Sequence, residues 1–136
     1  MYSRIGFDIG STTIKIVVIN EENNIIYHQY KRHLSDIRSS ILELIKDCYK
    51  NLGNIKCKIC ITGSGGLSVS KWLDLPFEQE VVACSHAIKN IIPETDVSIE
   101  LGGEDAKITY FQGSMDQRMN GSCAGGTGAF IDQMAT

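Results

Sequence analysis

The spacing of apolar positions changes several times along this chain. Near the start, "RIGFDIG" alternates and then turns. "TTIKIVVIN" is nearly continuous and β-branched, and "NIIYHQYKRH" follows the polar turn "NEENN". Such runs joined by short turns predict three adjacent strands in an antiparallel meander. The period then becomes helical, with Ile37, Ile41, Leu44, Ile45, Cys48 and Leu52 recurring on one face. Ser35 is placed to cap this helix and Gly53 to end it. "IKCKICIT" predicts a fourth strand, buried and parallel because a helix precedes it. "GSGG" breaks the pattern. A short helix around Trp72 follows, then a longer one from about Glu78 to Ile92, stopped by Pro93.

The pattern then restarts. "VSIELGG" predicts a strand running into glycines, and "AKITYF" a strand leaving them. Set over one another, "FDIGSTTIKI" and "IELGGEDAKI" run in register without a gap. Asp8 falls on Glu100, Gly10 on Gly102, Lys15 on Lys107 and Ile16 on Ile108. An acid, a glycine and a lysine repeated in the same strand–turn–strand context point to a duplication. The expected organisation is one lobe over residues 1–94 and the beginning of a second over residues 95–136, with no low-complexity linker between them.

The two repeats suit phosphate. A glycine-containing turn lets several backbone N–H groups point at one spot, and such a nest holds phosphate oxygens. In "DIGSTT" the hydroxyls of Ser11, Thr12 and Thr13 add donors, and Asp8 ends its strand beside them. A carboxylate there would repel phosphate unless a cation intervened. Magnesium, which keeps its waters and takes few carboxylates, is the natural one. Lys15 can offset phosphate charge. Gly102, Gly103 and Asp105 repeat the design, so two clamps would grip a nucleoside triphosphate. The plainer reading of either turn alone is a tight hairpin.

Composition narrows the classes. With 136 residues, 43% apolar and 21% charged, the chain is long enough for one ordinary globular domain. A net charge of −3 gives no electrostatic case for nucleic acid or an anionic membrane. No apolar run reaches the roughly 18 residues of a membrane span, and the first residues lack the regions of a signal peptide. A cytoplasmic chain is expected, so its five cysteines read as thiols or metal ligands rather than disulfides.

Cys57 and Cys60 have C-x-x-C spacing but lie within a strand pattern. Side chains three apart on a strand point to opposite faces, so the pair reads as buried structural thiols. Cys48 and Cys84 fall on helix faces and read as core. His86 follows Ser85 on a helix and reads as a plain helix position at least as readily as it reads as a functional histidine. "TGSGG", Thr62 to Gly66, either approaches a nucleotide or only turns a strand into a helix. Cys123 differs, since "MNGSCAGGTGAFIDQMAT" surrounds it with Gly121, Gly125, Gly126 and Gly128 before a helical segment. In that segment Phe130, Ile131 and Met134 read as core or dimer contact.

Three stretches carry a family resemblance. "GFDIGSTTIKIVVI" resembles the first phosphate motif of the acetate kinase, sugar kinase, heat-shock and actin superfamily, and "ELGGEDAKI" resembles its second. "MNGSCAGGTGAFIDQMA" is similar to the cysteine motif of activators of 2-hydroxyacyl-CoA dehydratases, a group that includes ATPase subunits of benzoyl-CoA reductases. With "PFEQEVVA", it looks closest to the N-terminal region of large fused activases of that group.

The resemblance implies an α/β, actin-like (ribonuclease H-like) ATPase fold, a mixed sheet with helices on both faces. It implies a homodimer with one 4Fe–4S cluster between the subunits. ATP hydrolysis would drive an electron, taken from a low-potential donor, to a partner dehydratase or related reductase. By position, Asp8 matches the magnesium-associated acid, Gly10, Ser11, Thr12 and Thr13 the first phosphate loop, Gly102, Gly103 and Asp105 the second, and Cys123 a cluster ligand. The chain departs from the pattern at Glu100, where the family has Asp. It also stops before a second cysteine and the adenosine-binding residues, so it is expected to be part of the module. Two other readings compete: a sugar-kinase-like phosphotransferase, and a non-enzymatic thiol or zinc module on Cys57 and Cys60.

Overall fold

The structure is a computed structural model that describes residues 2–103, 105–113, 116–120 and 127–135. It divides into two compact units, Met1–Ala83 and Cys84–Thr136.

In the first unit the predicted meander forms β1 (Ser3–Ile9), β2 (Thr13–Ile19) and β3 (Ile25–Arg32), each pair antiparallel. Helix α1 (Ile37–Leu52) carries the chain across to β4 (Cys57–Thr62), which pairs with β1 in parallel. The sheet order is β3-β2-β1-β4. A crossover helix between parallel strands is the connection that such pairing requires. Beyond β4, the Ile61 N–H donates to the Pro76 carbonyl and the Glu78 N–H to the Ile61 carbonyl, so this strand edge is also paired.

Alternation decides which face is buried. Phe7 and Ile9 of β1 and Ile14, Ile16 and Val18 of β2 are buried, while Val17 between them is exposed. Ile41, Leu44 and Cys48 of α1, Ile61 of β4 and Val69 of α2 (Gly66–Leu73) complete this core. Both helices of the unit therefore pack into one face. Helices on both faces were the expectation, but the opposite face presents Arg4, Asp8, Lys15 and Lys58, which cannot leave water without partners. The Tyr27 hydroxyl ties β3 to α1 by donating to Asp47 Oδ2 at 2.8 Å. Burial and the Asp47 carboxylate push that phenol well above its ordinary pKa.

Helix α1 starts one residue later than Ser35 predicts. Leu34 and Ser35 lie in the left-handed region, at φ 47° and 68°, so the chain is still turning there. Asp36 is the cap instead, its side chain accepting from the Ser39 N–H at 3.1 Å. That bond holds the Asp36 carboxyl below its ordinary pKa. Gly53 closes the helix at φ 70°, as its place in the sequence suggests.

The predicted long helix is α3 (Glu80–Ile91), and it spans the division between the units. In the second unit β5 (Val97–Leu101), β6 (Ala106–Tyr110) and β7 (Asp116–Met119) form an antiparallel sheet in the order β5-β6-β7. Strand β7, "DQRM", has no apolar alternation and gave no signal in the sequence. It exists through its pairing with β6. A short helix, α4 (Gly128–Met134), follows. Its Phe130, Ile131 and Met134 are exposed, so within this chain they are not core.

Candidate functional site: two glycine hairpins

The first hairpin is built by the β1–β2 register. Asp8 stands opposite Lys15 and Ile9 opposite Ile14, and the turn is closed by the Gly10 N–H donating to the Thr13 carbonyl at 2.9 Å. Ile9 and Ile14 are fully buried and anchor the turn, while Ser11 and Thr12 at its tip are exposed. The Lys15 ammonium donates to Asp8 Oδ2 at 2.7 Å. The Asp8 side chain keeps 31% of its surface exposed, so an incoming ligand can reach it. A pair this open contributes only about 0.2–1 kcal/mol to stability.

Two further segments clamp this turn, one that the sequence reading missed and one for which it left two roles open. The first is His33, which is buried. Its Nδ1 accepts from the Ser35 N–H at 3.1 Å, so Nε2 carries the proton and donates to the Gly10 carbonyl, 3.2 Å away. The His33 N–H also donates to the Thr12 carbonyl at 3.1 Å. One histidine thus holds two carbonyls of the turn. Only the unusual backbone of Leu34 and Ser35, just after it, marks this strap, and no sequence pattern reveals it.

The second segment is "TGSGG". It does turn β4 into α2, and it also lies against the end of β1. The Gly65 N–H donates to the Ile9 carbonyl at 2.8 Å. Gly63 has φ 94°, and a Cβ there would lie 2.4 Å from the Ile9 carbonyl oxygen and 2.5 Å from Asp8 Oδ1. Gly63→Ala is therefore expected to destabilise the chain by about 2–3 kcal/mol, through left-handed strain and backbone overlap. Urea unfolding of the variant checks this, and an unchanged midpoint would contradict it. Beside Gly63, Thr62 Oγ1 is buried and has no hydrogen-bond partner among the described residues. Leaving a hydroxyl in that state costs about 1–3 kcal/mol.

The second hairpin repeats the first. Glu100 stands opposite Lys107, Leu101 opposite Ala106, and the Gly102 N–H donates to the Asp105 carbonyl at 2.7 Å. The Asp8–Lys15 register and the Gly10–Thr13 bond thus recur position for position. The charges pair differently, because Lys107 Nζ lies 3.4 Å from Asp105 Oδ2. A Cβ at Gly102 would meet Asp105 Oδ1 at 2.2 Å, so a larger residue there would require the Asp105 side chain to turn away.

No family model matches the chain. The chain is 32% identical to the 2-hydroxyisocaproyl-CoA dehydratase activator of Clostridioides difficile, over 99% of its own length and 52% of that protein. The solved structure of that activator from Clostridium difficile, with bound ADPNP, superposes with a TM-score of 0.83 at 30% identity. The match covers 98% of this chain and 51% of that one. The chain belongs to the 2-hydroxyacyl-CoA dehydratase activator family. It spans about half the length of the relatives it matches. The (R)-2-hydroxyglutaryl-CoA dehydratase component A of Acidaminococcus fermentans has the same fold, with a TM-score of 0.86 at 24% identity over 99% of this chain and 53% of that one. The α/β architecture is that of actin-like ATPases, as the sequence resemblance implied.

In this activator-family chain the glycine loop bearing Cys123, residues 121–126, lies outside the described residues. Its two flanks are both tied to the second hairpin. On one side the Asn120 N–H donates to the Ala106 carbonyl at 3.0 Å, and Asn120 Oδ1 accepts from the Ala106 N–H at 2.9 Å. On the other, the Gly128 and Ala129 N–H groups donate to the Gly102 and Gly103 carbonyls at 2.8 and 2.9 Å. Thr127, just before α4, is fully buried.

The remaining cysteines do not form a centre. Cys57 is partly buried and Cys60 is exposed, which corrects the reading of both as buried thiols. They point to opposite faces, and Cys60 lies on the face that α1 and α2 leave uncovered. Cys48 is buried in the core, and that burial raises its thiol pKa. Cys84 is only partly buried and His86 is exposed. No group of three or more His, Cys, Asp or Glu side chains among the described residues could hold a metal, and no described helix is long and apolar enough to cross a membrane.

Proposed function

We propose that the chain is the nucleotide-binding part of an ATP-dependent activator, in which ATP hydrolysis drives electron transfer from a 4Fe–4S cluster to a 2-hydroxyacyl-CoA dehydratase or related reductase. The observation that carries this reading is the recurrence of one hairpin, with the same cross-strand acid–lysine register and the same closing hydrogen bond, in a chain of this family. Three curated relatives are named as dehydratase activators or an activating ATPase, and one solved relative holds ADPNP.

Roles follow from residue chemistry. Gly10, Ser11, Thr12 and Thr13 offer backbone and hydroxyl donors to phosphate, and Gly102 and Gly103 do the same in the second hairpin. Lys15 is shared between Asp8 and the incoming phosphate charge. Asp8 Oδ1 accepts no hydrogen bond among the described residues, and Thr62 Oγ1 beside it has no partner. That donor set, one carboxylate oxygen and one hydroxyl, fits the hydration shell of a magnesium ion. Bound there, magnesium would supply charge compensation at the transferring phosphate. Glu100 is the counterpart of Asp8 in the second hairpin, and Asp105, at the place of Thr13, is the acid of the second phosphate loop. Cys123 is assigned as a cluster ligand. A subunit supplying two thiolates gives four in a symmetric dimer, the number a 4Fe–4S cluster takes. The bonds from Asn120, Gly128 and Ala129 to the second hairpin give a path by which phosphate contacts at Gly102 and Gly103 reach the cysteine loop.

The test is the full-length protein purified without oxygen. Magnesium-dependent ATP hydrolysis, bound iron and ATP-dependent activation of a 2-hydroxyacyl-CoA dehydratase are expected together. ATP hydrolysis with phosphate passed to a sugar, and no iron, would overturn the reading in favour of a phosphotransferase.

A further inference from the structure

Four side chains form one row across the whole first sheet. Tyr30 of β3 is opposite Lys15 of β2, Lys15 is opposite Asp8 of β1, and Asp8 is level with Thr62 of β4. Residues at one level of neighbouring strands share a face. Lys15 is satisfied within the row. Lys15 Nζ is 2.7 Å from Asp8 Oδ2 and 5.9 Å from the centroid of the Tyr30 ring, so it sits between a carboxylate and an aromatic face. Thr62 ends the row, and its hydroxyl oxygen is buried without a partner among the described residues. Native proteins leave few such groups, and each calls for an explanation. Asp8 Oδ1, close against Gly63, accepts no hydrogen bond among the described residues.

We propose that the Thr62 hydroxyl is a ligand-binding group of the Asp8 site, hydrogen-bonding an oxygen ligand that arrives with the nucleotide. The inference rests on the nucleotide reading of the first hairpin. The oxygen is either a water in the hydration shell of the divalent cation or an oxygen of the phosphate chain. A hydroxyl serves both, accepting from a cation-bound water and donating to a phosphate oxygen. The orphaned state of Thr62 in the free chain then has a purpose. The site keeps one desolvated polar group ready, so part of the desolvation is already done when the ligand binds. Thr62 reaches Asp8 only because β4 pairs in parallel with β1 and ends level with it. Gly63 follows Thr62 packed tightly against the end of β1, where a Cβ would lie 2.5 Å from Asp8 Oδ1.

Thr62→Val and Thr62→Ser in the full-length protein test this, with thermal unfolding and calorimetric ATP binding as readouts. Without nucleotide, Thr62→Val is expected to unfold at the same temperature as wild type or higher, because it loses no bond. With Mg2+ and ATP it is expected to bind about tenfold more weakly, as the loss of one charge-assisted hydrogen bond implies. Thr62→Ser, which keeps the hydroxyl, is expected to bind as wild type does. ATP in EDTA separates the two sources. Weaker binding there too identifies a phosphate oxygen, and weaker binding only with Mg2+ identifies the cation's water. Undiminished Mg2+–ATP binding by Thr62→Val would overturn the inference, as would a lowered unfolding temperature without ligand. If wild type itself binds no Mg2+–ATP, the nucleotide reading fails and this inference fails with it.

Discussion

In the full-length protein, Asp8→Ala is expected to reduce magnesium-dependent ATP hydrolysis by about a thousandfold while leaving the fold intact. The size follows from the loss of a preorganised charge that positions the cation at the transferring phosphate. Lys15 would also lose the partner that holds its ammonium, 2.7 Å away, at the mouth of the turn. The fold is expected to survive because Asp8 is at a strand end and its backbone bonds do not involve the side chain. Removing a half-exposed ion pair changes stability by no more than about 1 kcal/mol. Phosphate release and thermal unfolding, measured on the same preparation, check both halves. Unchanged turnover would remove Asp8 from the site, and an unfolded variant would leave Asp8→Asn, which keeps the side chain's shape, to decide.

Cys123→Ser, also in the full-length protein, is expected to abolish the visible absorption of the cluster and electron transfer, with the dimer weakened and ATP binding largely kept. A serine alkoxide is a poor substitute for a thiolate ligand to iron, so one missing thiolate per subunit removes two of the cluster's four ligands. ATP binding is expected to persist because the bonds tying the loop's flanks to the second hairpin come from Asn120, Gly128 and Ala129 and do not use the thiol. The control is Cys57→Ser with Cys60→Ser, expected to keep full iron because those thiols point to opposite faces of β4. Iron assay and the absorption spectrum, taken without oxygen, check the pair. Stoichiometric iron in Cys123→Ser would end the cluster assignment, and its loss from the double serine variant would move the centre to β4.

The sequence by itself determined what is local or repeated. The strands of both hairpins follow from alternation and glycine placement over some ten residues. The duplication is legible because the same local geometry, an acid opposite a lysine across a glycine turn, needs the same residues each time it is built. The meander, the parallel fourth strand, the end of α1 at Gly53 and the helix after the cysteine loop were readable for the same reason. The tertiary structure alone decided what joins distant segments. It placed Thr62 level with Asp8, because the register of a parallel pair is set by the crossover helix and leaves no local pattern on either strand. It laid His33 on the Gly10 and Thr12 carbonyls, a contact that depends on where β3 ends and on the left-handed turn at Leu34 and Ser35. That turn is also why Asp36 rather than Ser35 caps α1. It exposed Cys60, since a strand pattern says that two faces exist but not which one the helices will cover. It formed β7 from a polar stretch, because backbone pairing with a neighbour can make a strand where side chains alone give no reason for one.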